Sequence, residues 1–152
     1  MSGPVTQGLG ASGPGIAAAR AIVAGAFEKA AEAGFKPLAV AVLDAGGRLV
    51  AYERQDGASP GRFEIAVGKA HGAVMLGMGG RAQMARAEAQ AYFIAAANGA
   101  LSGGLVPVPG GVLLRGPGGA VIGAVGVSGD ASDNDEAAAL AGAAAAGLDA
   151  EA

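Results

Sequence analysis

The sequence predicts an α/β domain of the α+β kind, an antiparallel sheet with helices packed on it. Two pairs of short apolar runs are each closed by a glycine-rich turn, at Asp44–Gly47 and at Gly116–Gly119. Strands joined this way form hairpins, whereas parallel strands need long crossovers. Helical stretches lie before, between and after the two pairs, and 152 residues suffice for one domain with a real core.

Residues 1–10 mix Gly, Pro, Ser and Gln without periodicity and predict a flexible arm before a single domain over 11–149. An alanine-rich helix follows over 11–33, with Ile16, Val23, Phe27 and Ala30 on one face and Gly34 as the stop. Leu38–Leu43 is a continuous apolar strand, and Arg48–Arg54 is its partner across a turn needing the positive φ of Gly46 and Gly47. Asp44 suits closing that turn through side-chain-to-backbone bonds, with a catalytic or metal role as the alternative. A polar loop over 55–61 carries two turn pairs, Asp56-Gly57 and Ser59-Pro60.

Helices over 62–76 and 81–98 come next, separated by Gly77–Gly80. Residues 103–109 are extended, with Pro107 and Pro109 barring a regular central strand and Leu105 marking a short extra one. The second strand pair spans 111–115 and 120–127. The last helix begins near Asp133. Its Asp133, Asp135 and Glu136 suit the positive end of a helix dipole, and Asp133 with Glu136 resembles a capping box.

Composition narrows the function. Charged residues make up 15%, against about 25% in average domains, and this predicts a homo-oligomer that hides apolar surface between subunits. A net charge of −3 and no basic stripe argue against a nucleic-acid partner. The absence of cysteine excludes disulfides, a thiolate nucleophile, zinc–thiolate sites and covalent c-type haem attachment. The longest apolar run, Ala137–Leu148, falls well short of the roughly 20 residues of a membrane span. With no secretory signal pattern either, a cytoplasmic protein without a membrane partner is expected.

Three segments resemble the GlcG/HbpS-like haem-degrading family when taken together, in order and at this spacing. They are Ala41–Val50 continuing through Arg54-Gln-Asp-Gly57, then Ile65–Ala70, then Pro107–Val112 with Ile122–Gly129 and Asp133–Glu136. The resemblance covers residues 11–148. It implies a profilin-like fold, an antiparallel sheet of about five strands flanked by helices, and oligomeric assembly. It also implies haem among the ligands, although members need not degrade haem. The chain departs from the family pattern in carrying His71 where Thr is common, Gln55 where Met is frequent, and a more acidic stretch over 128–135.

His71 is the only histidine, and so the only side chain that ordinarily titrates near neutrality. On a helical wheel Phe63, Val67, Ala70 and Val74 form the expected core stripe, and Glu64, Gly68, His71 and Met75 form its neighbour. Gly68 leaves a notch between carboxylate and imidazole. In that notch His71 is a candidate haem-iron ligand, with Met75, Tyr52 and Arg54 as supporting contacts. The alternative is a cofactor-independent enzyme in which Glu64 and His71 move protons on a small carbonyl or aromatic acid. Arg54 and Asp56 are expected near the mouth of the notch, where an arginine suits a carboxylate or a haem propionate. Ser128 is a ligand contact or, with His71, part of a nucleophilic pair. Lys69, about 160° round the helix from His71, is expected to pair with Asp44 or Asp56 or to face another subunit. Each of these residues also has a plain structural reading as a surface ion pair, a turn residue or a packing glycine.

Overall fold

The structure, a computed structural model, describes residues 9–10 and 13–152. It is α+β, with the five-stranded antiparallel sheet that the hairpins predict and five helices packed against it. Strands β3 (Ala39–Asp44), β4 (Leu49–Arg54), β5 (Gly111–Arg115), β6 (Val121–Ser128) and β7 (Asp149–Glu151) lie in the order β4-β3-β6-β5-β7. A separate two-residue ladder joins β1 (Leu9–Gly10) to β2 (Gly13–Pro14). The helices are α1 (Ile16–Ala33), α2 (Arg62–Leu76), α3 (Gly80–Ala89), α4 (Ala91–Ala100) and α5 (Ser132–Ala145).

The pleat of β3 sorts the layers. Leu38, Val40 and Val42 point to one face and join Ile22, Val23 and Ala26 of α1 and Ala138, Ala139 and Ala143 of α5. Ala39, Ala41 and Leu43 point to the other face, where α2 covers them with Ala66, Ala70 and Ala73. Beside Leu43 and Leu113 this second face carries Ala39, Ala41, Ala124 and Gly126, so α2 lies close to the sheet there. A Cβ on Gly126 of β6 would collide with the backbone oxygen of Ala66.

Several local expectations change. The first helix starts at Ile16 and not at Ala11, because Gly13-Pro14 forms β2 and Gly15 holds an extended N-cap. A residue before proline is biased toward extended backbone, which moves the helix start downstream. The buried face of α1 is Ala19, Ile22, Val23, Ala26 and Ala30, and Ile16 is exposed. The helix expected over 81–98 is broken at Gln90 (φ −142°, ψ 66°) into α3 and α4. Leu105 lies in irregular chain with no strand around it. The Asp133/Glu136 capping box is absent: Ala131 caps α5 without a side-chain bond, and both acids grip Arg81 of α3 instead. β7 has little sequence signal, being three residues of which two are charged. Of the expected N-terminal arm, residues 1–8 lie outside the described part, while Leu9 and Gly10 form β1.

The β3–β4 turn forms, with positive φ at Gly47 (79°) but not at Gly46. The Asp44 side chain accepts from the N–H groups of Gly46 at 2.9 Å and Arg48 at 3.0 Å. Among the described residues no helix is long and apolar enough to cross a membrane.

Candidate functional site

Helix α2 positions the candidate residues, but its faces are rotated from the expected stripe. Its sheet-facing side is Ala66, Lys69, Ala70 and Ala73, all buried. Phe63, Val67 and Val74 are only partly buried or exposed. The physical reason is the small-residue sheet beneath, which admits helix backbone at close range and leaves no depth for large side chains. Val67 and Val74 therefore sit at the margin of the core, and Phe63 turns outward to line a hollow with Val67.

That hollow, about 400 Å³, lies between the outer side of α2 and the loop that follows α4. Phe63, Val67, Leu101 and Val106 form its apolar lining, and Glu64, His71 and Ser102 supply its polar groups. Glu64, Gly68 and His71 therefore face one cavity, as their spacing predicts. The notch at Gly68 itself is filled: a Cβ there would stand 2.6 Å from Cγ2 of Val106. Gly68 lets the loop dock, and the usable space opens beside it.

The imidazole is held at one nitrogen. His71 Nδ1 lies 3.0 Å from the carbonyl oxygen of Gly104. A carbonyl only accepts, so Nδ1 carries a proton, and in the neutral ring the lone pair is on Nε2. A ring fixed in this tautomer presents a ready ligand or proton acceptor through Nε2. The close approach depends on glycine, since a Cβ on Gly104 would come within 2.7 Å of Nδ1.

The other candidates lie elsewhere. Met75 packs its methyl end against Gly47 in the β3–β4 turn and is not part of the cavity wall. Asp56 and Arg54 line a separate hollow with Phe27, Phe35 and Pro37 at the end of α1. Arg54 nonetheless acts on Tyr52, whose phenol is pushed up by burial, pulled back by Arg54 and raised by Glu64. The Tyr52 ring meets that of Phe63 edge-on, with centroids 4.9 Å apart. Ser128 is fully buried and accepts a 3.0 Å hydrogen bond from Arg62 Nη1. It is not brought together with His71, so no nucleophilic pair forms.

Lys69 pairs with neither Asp44 nor Asp56. Its Nζ donates to Asp135 Oδ2 at 2.9 Å and to the carbonyl of Val127 at 3.0 Å, with both charged side chains buried. Burial pushes the Lys69 ammonium down and the Asp135 carboxyl up, each against the pull of the other's charge. The remaining Asp135 oxygen accepts from the Asp130 N–H. The Asp130 carboxyl is itself held down to about 2 by the Lys36 N–H, the Asn134 amide and the Ala131 N–H. These contacts are structural and lie apart from the cavity. The sequence carries signals for the missed partners, namely a lysine inside an Ala/Gly helix face and an aspartate in the first turn of α5, but nothing in it specifies their pairing.

Comparison with known proteins agrees with this architecture. The family described as haem degrading protein HbpS-like matches residues 15–144. No curated protein is significantly similar to the chain in sequence. Among solved structures, the PduOC:heme complex is 25% identical with a TM-score of 0.78, covering 89% of this chain and 96% of that one. HbpS is 29% identical with a TM-score of 0.75, covering 89% and 91%. Klebsiella pneumoniae protein ORFY is 25% identical with a TM-score of 0.80, covering 91% and 93%. The family match spans most of the chain, so this chain belongs to the HbpS-like haem-degrading protein family.

Proposed function

We propose that the chain binds haem or a related tetrapyrrole in the hollow beside α2, with Nε2 of His71 as the protein ligand to the metal. The fixed tautomer of His71 carries this reading. Its Nδ1–H is spent on Gly104 and its lone pair is free, beside apolar walls of Phe63, Val67, Leu101 and Val106. A flat, largely apolar ligand with a metal centre matches that combination. The PduOC relative crystallised with heme adds support. His71 would hold the haem through Nε2, and the bound group would supply a redox-active iron. With one histidine per chain, a second imidazole would have to come from another copy.

Glu64 and His71 lining one cavity supports a second reading, cofactor-independent proton transfer on a small carbonyl or aromatic acid. We also infer that the chain assembles with copies of itself. Charged residues are few, no charge occurs between Glu88 and Arg115, and only Ile94 is buried among the ten residues of α4. A helix apolar on most sides needs a cover.

Titration of the purified protein with haemin tests the main reading. A Soret shift is expected for the wild type and its loss for His71→Ala. An unchanged spectrum in that variant removes His71 as the ligand, and no shift at all removes haem.

A further inference from the structure

The hollow beside α2 has a wall that is itself a side chain with something behind it. Phe63 lines the cavity and is 38% exposed, although it is an aromatic residue in an otherwise well-packed helix. Its ring lies edge-on against Tyr52 on the neighbouring strand, with centroids 4.9 Å apart. The Tyr52 hydroxyl oxygen is buried and has no hydrogen-bond partner. Buried hydroxyls are nearly always satisfied, and an orphan costs free energy until an acceptor arrives. The phenol keeps its proton, because burial raises it, so it is a neutral O–H donor. Arg54, two residues further along β4, stands on the same face of the sheet, opposite Ala39 as Tyr52 stands opposite Ala41. Arg54 forms no ion pair among the described residues.

We propose that Phe63 is a gate, and that the ligand cavity continues behind its ring into a carboxylate subsite formed by the Tyr52 hydroxyl and the Arg54 guanidinium. A rotation of Phe63 about its own side-chain bonds would uncover the Tyr52 hydroxyl to the hollow without moving the backbone. The ligand class is then specific: an apolar body in the Phe63/Val67/Leu101/Val106 hollow and a carboxylate arm reaching Tyr52. The inference rests on the reading that this hollow is the ligand site. It does not require a metal.

The test uses 1-pyrenebutyrate and its methyl ester, followed by pyrene fluorescence. Neither probe carries a metal, so His71 ligation plays no part. The wild type is expected to bind the acid more tightly than the ester. Tyr52→Phe keeps the ring and its contact with Phe63, and is expected to weaken the acid by about tenfold while leaving the ester unchanged. Phe63→Ala is expected to speed association of both probes. Equal affinity of the wild type for acid and ester, no binding of either, or equal weakening of both by Tyr52→Phe would overturn the subsite. A haemin spectrum unchanged by His71→Ala would instead remove the metal reading and leave the subsite standing.

Discussion

Lys69 shows how residue chemistry decides a role that spacing leaves open. A lysine on the sheet-facing side of a helix must either lose its charge or find a partner, and here Asp135 supplies one at 2.9 Å. Removing one partner strands the other in a buried site. Lys69→Met is therefore expected to destabilise the fold by about 3 kcal/mol or more. The double variant Lys69→Met/Asp135→Leu is expected to lose less than the single one, as read from urea denaturation midpoints. Other residues were open to reading in different degrees. His71 stands out as the sole imidazole, and Asp44 as a turn residue, because each depends on local chain alone. Tyr52, Arg54 and Ser128 could be picked out as polar groups near strand ends, but their partners come from elsewhere in the chain.

At the scale of elements, the α2 stripe is the instructive departure. A periodicity argument gives the core to Phe63, Val67, Ala70 and Val74, of which only Ala70 is fully buried. The structure gives it to Ala66, Ala70 and Ala73 because the strands beneath offer Ala39, Ala41, Ala124 and Gly126. Size complementarity between layers is a property of two elements and cannot be read from one. The same close fit operates on the outer side of α2, where Gly68 receives Val106. Gly68→Ala is expected to cost about 1–3 kcal/mol through overpacking and to loosen the 101–106 loop. Val106→Ala in the same chain is expected to restore much of that loss, measured by thermal unfolding of the single and double variants.

At the scale of the whole molecule, the hairpins made the antiparallel sheet legible, since short glycine turns permit few other connections. The edge strand β7 and the break between α3 and α4 were not legible. Three residues of strand and a single non-helical residue at Gln90 have little local pattern of their own. The low charge of the chain finds its physical counterpart in α4, where Tyr92 is 72% exposed. If self-assembly uses this helix, Tyr92→Asp is expected to shift the population toward monomer in analytical ultracentrifugation, while the far-ultraviolet dichroism stays unchanged. The buried Lys69–Asp135 bond has a reach beyond its own stability. It joins a helix from one side of the sheet to the first turn of a helix on the other, and so acts as a rivet through the end of the sandwich. Neither outer layer can peel away without carrying bare charge into an oily gap, which makes the two layers melt together.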